Sequence, residues 1–369
     1  MGTPTQTYVD PSIAGDSGAG SVGDPYGDLQ YALNQVTRDS TNGDQFNIKA
    51  GTDEVLGAAL DLSTYGTPAG NAPLVFRGYT SAANDGGIGG VSGDGSYSII
   101  DSSTLDYISF IACHLHNSGA AKILELDDYC NILDCEIDNT SGGGVKLGNY
   151  GRIANNHIHN IGGVGAVGGS CFFAFNYFKN GTNDFTSALQ LAAEAQAIGN
   201  IFSLDGASNG IEATSLRWIC NGNSILSAAG TGTGIVLSGS DAWQGVLLNN
   251  CVEGFSGAGG KGINFASNTY PLALYGHNAV YNCTTKYSGL GDVILNLGDN
   301  EELTATPFAK SGADTFANRF TYFAPADTGN VQGGAYPSGC RLDKGAVQHA
   351  DPAGGGGGGR RPRGLYLGV

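Results

Sequence analysis

Short runs of alternating apolar and polar residues recur along the chain, and one five-residue pattern returns eight times between positions 113 and 282. It reads CHLHN, CEIDN, NHIHN, NYFKN, NIFSL, NSILS, NCVEG and NAVYN, opening on Cys113, Cys135, Asn156, Asn176, Asn200, Asn223, Asn250 and Asn278. Two residues on, each copy is apolar: Leu115, Ile137, Ile158, Phe178, Phe202, Ile225, Val252 and Val280. The copies are spaced 22, 21, 20, 24, 23, 27 and 28 residues apart. A period that drifts while its motif persists predicts a solenoid whose insertions sit in loops. Alternation within each copy places one side chain in the core and the next in solvent.

A second apolar run follows most copies: ILEL (123–126), VKL (145–147), LQL (189–191), IEA (211–213), IVL (235–237), INF (263–265) and VIL (293–295). Its expected inward column is Leu124, Val145, Leu189, Ile211, Ile235, Ile263 and Val293, interrupted by a Gly-rich segment at 162–169. Two or three such strands per coil predict an all-β fold, a right-handed, single-stranded parallel β-helix. The recurring Asn has a structural reason. Rungs stack about 4.8 Å apart, so an Asn can donate to one neighbour and accept from the other. A sharp bend also favours Asn, which tolerates the left-handed region. No catalytic role is expected of this column.

Upstream, residues 24–37 (DPYGDLQYALNQVT) carry Leu29, Ala32, Leu33 and Val36 at helical spacing, with Asp24 as the expected cap and Pro25 in the first turn. Such a helix would cover the exposed first rung. Segments 46–50, 73–79 and 97–100 read as the first irregular rungs, and 81–96 as a Gly-rich loop without the Lys-Ser/Thr of a phosphate-binding loop. The expected organisation is an arm (1–23), capping helix and irregular rungs (24–106), regular rungs (107–299), a C-terminal cap region (300–349) and a tail (350–369). Phe308, Phe316, Phe320, Tyr322 and Phe323 are the expected capping aromatics.

Composition refines this picture. Gly, at 62 of 369 residues, follows no Gly-X-Y period, which excludes collagen and suits many turns. A formal charge of −16 argues against nucleic-acid binding, which needs clustered Lys and Arg. No membrane-length apolar run and no signal-like N-terminus is visible, so synthesis in a cytoplasm is expected. The eight Cys lack CxxC spacing, and Cys113 and Cys135 read as small apolar residues.

The opening YVDPSIAGDSG…DPYGDLQYALNQV, then FNIKAGT and RGYTS, and the closing RLDKGAVQ resemble right-handed parallel β-helix proteins of the pectin-lyase-like class, most of all bacteriophage virion members of the decoration or tail-fibre type. The resemblance implies a virion component made in the host cytoplasm, a homo-oligomer (a trimer favoured), and contact with a capsid protein or a host-surface glycan. It also implies an alternative, polysaccharide lyase or glycoside hydrolase chemistry, or glycan binding without cleavage.

Candidate chemistry is sparse. Asp127 and Asp128, with Glu136 and Asp138, are the carboxylates available for the alternative, since glycosidases need two across a sugar. The GHG and RIK elements of related hydrolases are missing. If Cys113 and Leu115 face inward, then His114 and His116, Glu136 and Asp138, and His157 and His159 share outward columns on three successive rungs. Such a strip is either a solvated polar face, a site for a divalent metal ion or subunit contact, or a catalytic group. No cofactor is otherwise implied. Finally, a six-Gly run at 354–359 precedes Arg360, Arg361, Arg363, Leu365, Tyr366 and Leu367, either a disordered end or a tethered docking peptide.

Overall fold

In a computed structural model the chain is described over residues 2–324, apart from 94, 118, 140, 215–216, 239–243, 267–271, 290–293 and 297–299. It is a right-handed parallel β-helix whose described residues form three sheets of 12, 11 and 9 strands along the stack. The first sheet begins at Thr5–Val9 and ends at Ile294–Asn296, the second runs from Glu54–Leu56 to Glu301–Glu302, and the third from Ile100–Asp101 to Thr285–Ser288. Every neighbouring pair is parallel; Ile137, for example, lies between Leu115 and Ile158 in the second sheet.

The apolar column of the repeated pattern is the inner face of the second sheet, and Leu115, Ile137, Ile158, Phe178, Phe202, Ile225, Val252 and Val280 are all fully buried. Like residues stack on like: Phe178 and Phe202 lie with ring centroids 4.8 Å apart, as do Phe76 and Phe110 in the first sheet.

The Asn column forms a continuous hydrogen-bonded ladder. Asn200 donates through Nδ2 to Asn223 Oδ1 (3.1 Å) and to Phe173 O (3.0 Å), while its own Oδ1 accepts from the backbone N and Nδ2 of Asn176 (3.1 and 2.9 Å). The ladder runs from Asn156 through Asn278 and one rung beyond the repeat, to Asn300. The left-handed residue of each bend is not the Asn but the residue before it: Ala112, Asp134, Asn155, Phe175, Gly199, Gly222, Asn249 and His277 all have φ between 48° and 65°. The Asn is therefore selected for its amide and not for its backbone. Cys113 and Cys135 are more than small apolar fillers, for each thiol copies the amide. Cys135 Sγ contacts Phe110 O at 3.6 Å as donor and takes the Cys113 N–H at 3.5 Å as acceptor.

Several expectations are corrected by the packing. The helix spans Leu29–Gln35 with Asp28, not Asp24, as N-cap; Asp28 Oδ1 accepts from the Tyr31 amide at 2.5 Å, while Asp24 closes a turn with Ser21. The Gly-rich stretches 162–169 and 81–96 contain strands, Val164–Gly168 and Gly89–Gly93. Glycine is required there because a Cβ on Gly89 would sit 2.3 Å from Ile48 O, and one on Gly165 2.5 Å from Ala188 O. The third sheet continues from Ile263 to Tyr287, and the strand Ile294–Asn296 joins the first sheet; Val293, expected in the inward column, lies outside the described residues.

Two outcomes follow. Replacing Asn200 by Ala strands at least two buried backbone groups at about 1–3 kcal/mol each, so the urea midpoint should fall by the equivalent of about 3 kcal/mol. Asn156→Cys, which extends the natural Cys rungs, should cost clearly less than Asn156→Ala. Near the helix, burial and then the Asp28 charge push the Glu54 carboxyl up to about 7. The folded state thus holds that proton more tightly, and stability falls as pH rises from about 4.5 to about 7. Thermal melts of Glu54→Gln should therefore gain on the unsubstituted protein across that window and keep the gain above it.

Candidate functional site

The outer face of the second sheet carries most of the polar chemistry. Strands Cys113–Asn117, Glu136–Asn139 and His157–His159 stack in register, so His114, Glu136 and His157 form one outward column and His116, Asp138 and His159 the next. The structure thus brings together all six residues that alternation assigns to the strip.

Each carboxylate meets one imidazole directly across from it and one on the diagonal. Asp138 Oδ1 lies 2.9 Å from both His114 Nε2 and His116 Nδ1. Glu136 Oε1 lies 3.0 Å from His159 Nε2 and 3.7 Å from His157 Nδ1. A long side chain can reach the diagonal neighbour on the next strand, and an imidazole does so here. The hydrogen bond to Asp138, against the opposing effect of burial, raises the His114 pKa above its ordinary value. His157 and His159 hold the Glu136 carboxyl far below the usual carboxylate range. Burial pulls Asp138 upward, but its bonds to His114 and His116 outweigh it and the net shift is down. Burial lowers the His157 pKa.

Of the region expected to cap the end (300–349), the described residues 303–324 form a lateral flap. After the strand Glu301–Glu302 the chain turns back along the outside of the second sheet, and Phe308 and Phe323 pack on Tyr177, Ile201, Leu226, Cys251 and Ala279. Asp314 is the anchor: its carboxylate accepts from Tyr177 Oη (2.5 Å) and Ser203 Oγ (2.6 Å), with Lys179 at 3.3 Å. Lys310 and Thr306 both bind Glu253. Phe316 then stacks on the His157 ring at 5.1 Å, and Arg319 lies over Phe316 while donating to Asn155 Oδ1 at 3.0 Å. Phe320 stays largely exposed. The outward column changes from His and acid to Tyr177, Ile201 and Ala279 where the flap begins, a change of polarity visible in the sequence.

Asp127 and Asp128 lie elsewhere, at the corner between the third and first sheets, and the structure does not bring them to Glu136 and Asp138. Asp106 Oδ1 accepts the Asp128 amide (3.0 Å), and Asp128 Oδ1 accepts the Asn149 amide (2.5 Å). Gly148 leaves room for both carboxylates, since a Cβ there would be 2.4 Å from Asp127 Oδ1 and 2.6 Å from Asp128 Oδ1. Burial, then the charges of Asp128 and Asp106, raise the Asp127 pKa. Beside them Tyr107, Tyr129 and Tyr150 form a ladder with ring centroids 5.0 and 5.1 Å apart, and Tyr129 and Tyr150 are exposed. Sequence reading missed this ladder, although its spacing of 22 and 21 residues matches the rung period. The tail residues Arg360, Arg361, Arg363, Leu365, Tyr366 and Leu367 lie outside the described residues.

The flap contact predicts an accessibility change. Asp314→Ala or Phe316→Ala should speed modification of His157 by diethyl pyrocarbonate several-fold, read by peptide mass spectrometry, while His116 keeps its rate.

No family model matches the chain, and no curated protein matches it in sequence. Solved structures resemble it in fold. The crystal structure of pectate lyase Pel9A superposes with a TM-score of 0.58 at 12% identity, covering 95% of this chain and 98% of that one. A mannuronic acid specific polysaccharide family 6 lyase from human gut microbiota gives 0.51 at 15% identity, over 77% of this chain and 66% of that one. At these identities the likeness concerns the fold alone, a parallel β-helix.

Proposed function

We propose that this protein is a non-enzymatic structural component of a virion, a rod of the capsid-decoration or fibre type. The observation that supports this reading is how the carboxylates of its outer faces are engaged. Glu136 and Asp138 each meet two imidazoles, Asp106 and Asp128 accept backbone amides, Glu125 is bound by Lys122 and Lys146, and Asp314 and Glu253 hold the flap. Lyase and glycosidase chemistry instead requires carboxylates or bases aimed at a sugar. A rigid rod that links rungs and docks through a Gly-linked basic-apolar tail suits assembly, with self-association as a trimer and a capsid protein as the tail's partner.

A second reading has its own support. The exposed Tyr129 and Tyr150 beside Asp127, on a fold shared with proteins named as a pectate lyase and a polysaccharide family 6 lyase, suit engagement of a glycan, with or without cleavage. Two measurements separate the readings. Deleting residues 354–369 should abolish incorporation into particles while leaving the β-rich circular dichroism spectrum unchanged; full incorporation would remove the tail-docking role. Incubation with acidic and neutral polysaccharides should yield neither unsaturated nor new reducing ends. Turnover lost in Asp127→Ala would overturn the non-enzymatic reading, and gel retardation by a glycan lost in Tyr129→Ala would establish the binding one.

A further inference from the structure

The six-residue strip is not one site but two. Each of its carboxylates converges with two imidazoles, and the ligand atoms of His114, His116 and Asp138 all lie within 4.8 Å of one another, as do those of Glu136, His157 and His159. We propose that the strip binds two divalent transition-metal ions, Zn²⁺ foremost, one in each two-histidine, one-carboxylate triad on adjoining rungs.

The donor set selects the class of ion. Two imidazole nitrogens with one carboxylate oxygen suit Zn²⁺ and its neighbours in the first transition row, whereas Ca²⁺ and Mg²⁺ prefer oxygen alone. With metal–ligand bonds of about 2.0–2.2 Å, tetrahedral donors lie about 3.3–3.5 Å apart. In the second triad the separations from Glu136 Oε1, 3.0 and 3.7 Å, straddle that value. In the first, both separations from Asp138 Oδ1 are 2.9 Å, so an ion replacing the shared protons needs an outward adjustment of a few tenths of an ångström. All six residues project from strands held in register on both sides within the sheet, which pre-organises the donors.

The triads are not equivalent. His114 and His116 have about 30% of their side chains exposed, leaving the remaining coordination positions to water. In the second triad the His157 ring is held between His159, at 4.2 Å, and Phe316, at 5.1 Å, so the flap walls one side of it. Each ion would tie two rungs together, and the pair would staple three. The inference does not depend on whether the protein is part of a virion.

Metal analysis of the tag-free full chain, stripped with a chelator and dialysed against Zn²⁺, tests it. Two ions per chain are expected, falling to one in His116→Gln, to one in His159→Gln, and to none in the double variant. Saturation at one ion per chain or fewer, or content unchanged by both substitutions, would overturn the proposal. Should a substituted chain fail to fold, the unsubstituted protein still decides. Added Co²⁺ should shift and broaden the imidazole resonances of His114, His116, His157 and His159 in the NMR spectrum while sparing His277, and four unmoved resonances would refute it.

Discussion

Hydrogen bonding along the axis, from each rung to the next, is the constraint on which this molecule depends. Parallel strands cannot be joined by tight hairpins, so each coil must return its chain to the same place about two dozen residues later. The bend before the second sheet makes that return reproducible. A residue in the left-handed region turns the chain, and the following Asn bonds to the equivalent Asn of the next rung and to a carbonyl of the rung before. From Asn156 to Asn278 these Asn residues are fully buried, and an unmade bond there costs about 1–3 kcal/mol, which keeps the column uniform while loop lengths drift.

Once the ladder sets the register, alternation decides the rest of the second sheet. The inward column becomes a stack of aliphatic and aromatic side chains, and the outward columns become whatever the lateral face requires. That face divides in two. From Tyr177 onward one outward column, with Tyr177, Ile201, Cys251 and Ala279, turns largely apolar and is covered by the flap, whose Asp314 ties Tyr177 to Lys179 and Ser203 of the other. Before that point the outward residues are His and acid, each carboxylate meeting one imidazole directly across and one on the diagonal, and the flap reaches only His157, through Phe316. The corner formed by Asp127, Asp128 and the tyrosine ladder belongs to a different edge, so two centres of polar chemistry sit on one rod with a strand of the first sheet between them.

Much of this was legible because repetition in a solenoid places equal positions side by side. Leu115, Ile137 and Ile158 could be aligned before any contact was known, and with them the His and acid residues on either side. Legibility failed where a side chain carried no β signal. Gly89 and Gly165 lie in strands and are glycine because neighbouring carbonyls leave no room for a Cβ, a condition invisible along the chain. It failed again at the chain reversal, where aromatic residues near the end read as an end cap.

The sequence by itself determined the period, the inward and outward columns, and the co-location of six ionisable groups, because those depend only on strand alternation and rung stacking. The tertiary structure alone decided which His meets which carboxylate, since Nε2 of His114 passes its direct neighbour to reach Asp138. It alone decided that 303–324 folds sideways, because that choice rests on Phe308, Phe316 and Asp314 finding partners more than a hundred residues away along the chain, at Tyr177 and His157. Local pattern carries the first kind of information; only contacts between distant rungs carry the second.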